Sequence, residues 1–342
     1  MSSIRSADLS RRHWLLSTPL RTALASAGLC GGASGGAITG FHNASPEAAT
    51  NGGIRLQAGE LTAVIGDNSG TDTQRPGYNG VWSLQHAAAD RSLFVPGISG
   101  LNLEHIVNGT TLDDDAVFFE PRRAAMTVKQ TSDQSCELHQ PPTPHTGLES
   151  RTQFELRPGG ILDFHFECWP RQNRFPHGYL SMFWASYINA PEDRSMYFRG
   201  GPAGQTDGWC QLCTQFHNDQ STVLHRDDQY TALFDPDKRT ALFRNFSPQR
   251  MSQPLFYGHF DQLTWLVIFD RTEGIRLTHS PSGGGFNSAR QSHNPAWDFQ
   301  FLIRNPVVNQ RYAFSVRTML LPRTGRDTLL QLASAWQADR NR

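Results

Sequence analysis

The stretch "LTWLVIFD", residues 263–270, is apolar at nearly every position. A strand with one wet face alternates apolar and polar residues, whereas a strand covered on both faces reads as an almost continuous apolar run. This run therefore predicts two packed sheets rather than one. Outward from it, short apolar stretches with period-two alternation recur between clusters of Gly, Pro, Asn and Asp. Strands are predicted at 61–65, 116–120, 124–129, 152–156, 161–169, 231–234, 241–243, 262–270, 275–278, 298–303 and 312–321. Arg157-Pro158-Gly159-Gly160 suits a hairpin between two of them. Near the C-terminus, Leu329, Leu332, Ala333 and Trp336 fall at helical spacing behind Asp327 as a cap, which predicts an amphipathic helix laid on the sheets. The predicted fold is all-β: a large two-sheet antiparallel β-sandwich with a C-terminal helix.

Ser10-Arg11-Arg12-His13-Trp14-Leu15 near the N-terminus has the layout of a twin-arginine export signal. The apolar run that follows is interrupted by Pro19 and Arg21, so it falls short of the roughly 20 continuous apolar residues of a membrane span. The expected division is an export signal over 1–37, a Gly/Ala/Ser/Asn-rich linker over 38–53 and one β-sandwich domain over 54–342. The expected partners are the export machinery and a ligand met in the periplasm or outside the cell. Lys+Arg and Asp+Glu balance at 31 each, so no electrostatic footprint for nucleic acid or an anionic membrane appears. Arginine carries nearly all the positive charge, since Lys129 and Lys238 are the only lysines.

Beyond Cys30, Cys136, Cys168, Cys210 and Cys213 read as structural disulfides or buried thiols. A lone Cys-x-x-Cys at 210–213 supports neither a four-thiolate zinc site nor a redox motif at a strand-to-helix junction. No dinucleotide fingerprint, phosphate loop or HExxH is present, and no cofactor or metal is expected.

Four stretches carry chemistry. "RPGYNGVWSLQH" (75–86) with "GLNLEHIVNG" (100–109) supplies Tyr78, Asn79, Trp82, His86, Asn102, Glu104 and His105, a mixture suited to stacking on sugar rings and bonding their hydroxyls. Period two sends Glu104 and His105 to opposite faces of a strand. "LDFHFECW" puts Asp163, His165 and Glu167 on one face about 7 Å apart, as an outer solvated face or a metal-dependent site would have them. "FWASYINAPED" offers Trp184, Tyr187, Asn189 and Glu192. "THSPSGGGFNSARQSHNPAWDFQF" offers His279, His293, Trp297 and Asp298 around three glycines, whose ordering costs roughly 0.5–1 kcal/mol each and suits close backbone approach to a ligand.

On the "FWASYINAPED" segment and the "HSPSGGG…NPAWDFQF" pair, the chain resembles the galactose-mutarotase-like β-supersandwich proteins, a fold shared by aldose epimerases and by domains of polysaccharide lyases and glycoside hydrolases. The resemblance implies a His general acid and a Glu general base acting on a sugar, although the epimerase motifs match no particular positions here. The expectation is an exported carbohydrate-active or carbohydrate-binding protein. His279 or His86 would serve as acid/base with Glu192 or Glu104, Trp184, Tyr187 and Trp297 as sugar platforms, and Tyr78, Asn79, Asn189 and Asp298 as further contacts. The alternatives are a non-catalytic envelope or adhesion protein and a metal-dependent lyase or hydrolase.

Overall fold

In the computed structural model, which describes residues 53–340 apart from 113, 218, 237, 238, 240–242 and 289, the chain begins with an antiparallel meander. Its strands are β1 (Gly53–Ala58), β2 (Leu61–Gly66) and β3 (Gly80–His86). The expected export signal and most of the linker lie outside the described residues. β4 (Asn102–Val107), the short helices α1 (Asp115–Phe118) and α2 (Glu120–Arg123), β5 (Thr127–Ser132), β6 (Ser135–Gln140), β7 (Leu148–Arg157) and β8 (Ile161–Pro170) come next. Then follow β9 (Tyr179–Ala185), β10 (Met196–Pro202), β11 (Gly208–Leu212), β12 (Thr222–His225), β13 (Phe246–Phe260), β14 (Leu263–Phe269) and β15 (Ile275–Ser280). β16 (Phe286–Asn287) and β17 (Ser292–His293) form a small hairpin before β18 (Ala296–Arg304), β19 (Tyr312–Pro322) and α3 (Arg326–Arg340) close the chain.

One hydrogen-bonded path runs β4-β9-β18-β15-β12-β13-β14-β19-β8-β7-β6-β5, with β10 and β11 branching from β13. Apart from the parallel β12–β13 pair, its ladders are antiparallel. The path doubles back, because Trp184 of β9 packs edge-on to Phe166 of β8 at 4.8 Å although six strands separate β9 from β8 along the ladder. Phe299 stacks on Trp184 at 5.1 Å and Phe314 meets it at 5.3 Å, so the two leaves of the sandwich share an aromatic core. The all-β sandwich with a C-terminal helix is therefore what forms, with both leaves drawn from a single curled ladder.

All seven residues of β14 are buried. Leu263, Trp265, Val267 and Phe269 face the core between the leaves, while Leu266 and Ile268 meet Leu329, Ala333 and Trp336 of α3. The second cover over this strand is thus the helix, not another sheet. Asp327 lies in the first turn of α3 rather than capping it, since the helix starts at Arg326.

Three expected strands differ. Residues 116–120 fall in α1 and α2, because the Asp114 side chain accepts from Ala116 N at 2.7 Å and Pro121 stands in the first turn of α2, where its missing N–H costs nothing. Residues 231–234 form loop, with Tyr179 Oη donating to Leu233 O at 3.0 Å. Of 241–243, the first two lie outside the described residues and Phe243 lies in a 3₁₀ turn, packed against Phe183.

Candidate functional site

The face of β4, β9, β18 and β15 that points away from the core carries a polar floor. On β9 the odd positions Ser181, Phe183 and Ala185 face this side, and on β18 so do Asp298, Gln300 and Leu302, while their even and odd neighbours respectively fill the core. β15 adds Arg276, Thr278 and Ser280, and Gln300 Nε2 donates to Thr278 Oγ1 at 3.1 Å. These polar side chains are buried, beneath α1, α2 and the segment around Tyr230 and Phe243.

β4 enters the floor through a bulge. Its register passes from Leu103 opposite Trp184 to His105 opposite Phe183, leaving Glu104 as the extra residue. Leu103 and Ile106 face the core, whereas His105 sits among Phe118, Phe119, Phe183 and Phe243 on the other side. The bulge thereby brings Glu104 and His105 to one side, with 3.8 Å between Glu104 Oε2 and His105 Nε2, and overturns the expectation that they point apart. Burial pushes the His105 imidazole below its ordinary value, with Glu104 pulling the other way.

Glu104 Oε1 accepts from Tyr187 Oη and from Arg122 Nη1, both at 2.8 Å. Arg122 is held in turn by Gly77 O, at 2.8 Å from its Nε, and lies 3.8 Å over the Tyr78 ring. Tyr78 meets Tyr187 edge-on at 6.0 Å. Beside them Asp298 is 1% exposed; its Oδ1 accepts from Ser186 N at 2.9 Å and its Oδ2 stands 3.4 Å from Ser280 Oγ. Burial pushes the Asp298 carboxyl well above the usual carboxylate range and the charge of Glu104 adds to this, against the Ser186 bond, which lowers it. Burial and Glu104 likewise raise the Tyr187 hydroxyl well above its ordinary value. The ladder that pairs Trp184 with Phe299 brings Ala185 to Asp298, and Ala185 also faces Asn102. A small side chain thus separates the Asp298 carboxyl from Asn102, which is 0% exposed and whose Nδ2 has no partner among the described residues. Ser181 Oγ, on the same face, is also unpartnered. Buried polar atoms of this kind are rare in folded chains and commonly mark a site that takes water or a ligand.

The glycine-rich loop serves this cluster from above. A Cβ on Gly283 would stand 3.1 Å from Tyr187 Cε1, and one on Gly284 would stand 3.1 Å from Tyr187 Cβ and 3.0 Å from Asn294 Cβ. Asn294 Nδ2 donates to Gly284 O at 2.9 Å and its Oδ1 accepts from Ala190 N at 2.8 Å, tying the loop to the end of the β9 segment. The close backbone approach is therefore to Tyr187.

Of the residues singled out in the sequence, Tyr78, Tyr187 and Asp298 come together with Glu104. Asn79 lies below them as a backbone mimic, its amide exchanging hydrogen bonds of 2.9 Å with Leu103 N and O. Asn189 ties loops together, donating to Ser92 O at 3.2 Å and accepting from Asn287 at 3.0 Å. Trp184 and Trp297 are core residues, closed off by Phe164, Phe166, Phe299 and Phe314 in one case and stacked on Trp265 in the other, so neither presents a ring face to a sugar. His86 is buried at the end of β3, accepting from Ala88 N at 3.0 Å. His279 faces the core side of β15 between Thr214 Oγ1, at 2.8 Å, and Arg194 O, at 2.8 Å, and burial lowers it to about 4. Glu192 is exposed on the loop after β9. His86, His279 and Glu192 share no hydrogen bond or ion pair among the described residues.

The outer row of β8 is taken by arginine. Asp163 accepts a two-pronged bond from Arg317 at 2.7 and 2.8 Å, Glu167 accepts from Arg311 at 2.6 Å, and His165 meets Ser315 Oγ at 2.8 Å. Among the described residues no group of three His, Cys, Asp or Glu is placed to hold a metal ion. Cys136, Cys168, Cys210 and Cys213 are free thiols, and burial pushes Cys136 up to about 12. No helix among the described residues is long and apolar enough to cross a membrane.

No family model and no curated protein matches the chain. Solved structures similar to it include a protein assigned to the aldose 1-epimerases from Escherichia coli K12, at 9% identity and a TM-score of 0.49 over 79% of this chain and 99% of that one. A galactose mutarotase-related enzyme from Lactobacillus acidophilus is similar at 9% identity and TM-score 0.46, over 80% of this chain and 100% of that one. A galactose mutarotase-like protein from Lactobacillus casei is similar at 10% identity and TM-score 0.43, over 79% and 100%.

Proposed function

We propose that this is an exported carbohydrate-active protein that takes a sugar on the polar floor of β4, β9 and β18. The observation that carries the reading is the buried pairing of unlike carboxyls: Asp298, raised by burial and by Glu104, beside Glu104, held by Arg122 and Tyr187. Neighbouring carboxyls whose environments differ in this way can supply a proton donor and a proton acceptor at one pH. The burial that raises Asp298 favours the form able to give a proton to a ring or bridging oxygen, while Glu104, ion-paired with Arg122 and bonded by Tyr187, is placed to take one from a hydroxyl. Asn102 Nδ2 offers unspent hydrogen-bonding capacity to a further hydroxyl, and Tyr78 offers an aromatic edge at the rim. Entry requires movement of α2 and Tyr78, because the Glu104 side chain is only 8% exposed. Export rests on the Arg11-Arg12 pattern.

The test is a panel of mono-, oligo- and polysaccharides, read by thermal stabilisation and by product release or anomer exchange, with the wild type and Glu104→Gln. A sugar that stabilises the wild type and is turned over, with turnover lost in the variant, supports the enzyme. Stabilisation without turnover moves the reading to a carbohydrate-binding protein, and no response across the panel contradicts both.

A further inference from the structure

A cleft of about 560 Å³ opens at the end of β18 away from Asp298, between the end of that strand and the turn after β14. Asp298 and Arg304 lie six residues apart on one strand, about 20 Å at the usual rise, so this cleft is separate from the Glu104 cluster. Its volume falls in the range of small-molecule sites. Phe301, Leu302 and Ile303 at the strand end line it, together with the rings of Tyr230 and Tyr312 and the polar groups of Arg271, Glu273, Arg304 and Asn305.

The polar groups have capacity to spare. Tyr312 Oη accepts from Val307 N at 2.8 Å, which leaves its own hydrogen uncommitted. Arg271 spends Nε on Asp270 at 3.2 Å and keeps its two terminal nitrogens. Arg304 makes a contact of 3.5 Å with Glu273, a long bond between side chains that are 55% and 80% exposed, which an entering anion can displace at little cost. Arg304 also lies 6.0 Å over the Tyr230 ring, so the cation is held against an aromatic wall of the cleft. Guanidinium forks recognise planar oxyanions, and tyrosine rings cover the apolar face of a pyranose.

We propose that this cleft is a binding site for an acidic sugar, a uronate residue whose carboxylate is taken by Arg271 and Arg304 while its ring packs on Tyr230 or Tyr312. The inference stands independently of the Glu104 site. Titration calorimetry of the full chain with digalacturonate, and with galactobiose as the neutral counterpart, tests it. Digalacturonate is expected to bind at least tenfold more tightly than galactobiose, to lose at least tenfold in the Arg271→Ala/Arg304→Ala double variant with its melting temperature unchanged, and to bind Glu104→Gln as the wild type. The proposal is overturned if the wild type does not bind, if galactobiose binds as tightly, or if the double variant binds unchanged. Full competition by inorganic phosphate at equal concentration would reduce the cleft to a generic anion site and also overturn it. Loss of binding in Glu104→Gln would assign the ligand to the floor instead.

Discussion

Asp298 sets burial against chemistry. A carboxyl raised in the folded state keeps its proton while the unfolded chain releases it near the ordinary value, so its contribution is complete in acid and is lost as pH rises through the folded value. Asp298→Asn keeps an acceptor for Ser186 N and removes the titration. It is expected to melt at an equal or higher temperature than the wild type at pH 8, with the gain vanishing near pH 4, while sugar turnover is lost. A melting temperature several degrees lower at pH 8 would show that the carboxyl is not a strained group. His279 works in the opposite sense. Its imidazole is lowered from 6.5 to about 4, so below pH 6.5 the unfolded chain binds a proton that the folded chain refuses, and stability falls until about pH 4. His279→Gln is expected to flatten the melting-temperature profile between pH 6.5 and 4, an effect of at most about 3 kcal/mol.

At the scale of elements, β8 is readable because it alternates over its whole length and β14 because it is apolar over its whole length. The site was less so. Period two separates Glu104 from His105, and nothing in "LNLEHI" announces the bulge that reunites them. Arg122 stands in a Pro-Arg-Arg turn read as an interval between strands, so its reach to Glu104 depends on α1 and α2 having replaced a strand. Tyr78, Tyr187 and Asp298 were visible as residue types, whereas Trp184 and Trp297 were drawn to the site by their aromatic character although the fold needs them inside. Trp184→Ala is expected to cost about 3–5 kcal/mol in chemical denaturation, as removal of a large core aromatic does, and to leave no folded protein with altered sugar preference. The glycine loop makes a sharper test. Gly284→Ala must displace Tyr187, Asn294 or Val95, all within 3.2 Å of the new methyl, and is expected to reduce sugar turnover several-fold with a melting temperature within a few degrees of wild type. Unchanged turnover would separate the loop from the site.

For the whole molecule, a continuous ladder that curls on itself leaves one leaf with a second face, and loops cover that face instead of solvent. A polar surface under loops costs more to build than an apolar one unless its groups find partners, and of its groups Asn102 Nδ2 and Ser181 Oγ are left without one among the described residues. The proposed export is a separate matter and rests on the Arg11-Arg12 pattern alone. Replacement of Arg11 and Arg12 by Lys is expected to abolish export by the folded-protein route, seen as retention in the cytoplasmic fraction; unimpaired export would remove the twin-arginine assignment and leave the site untouched. The central claim, that the floor of β4, β9 and β18 is where ligand binds, is tested most directly by hydrogen–deuterium exchange with and without the best sugar of the panel. Protection confined to the 108–124 cover, the 281–295 loop and the strand ends at Glu104, Tyr187 and Asp298 is the predicted result. Protection elsewhere, with those segments exchanging as in the free protein, would contradict it.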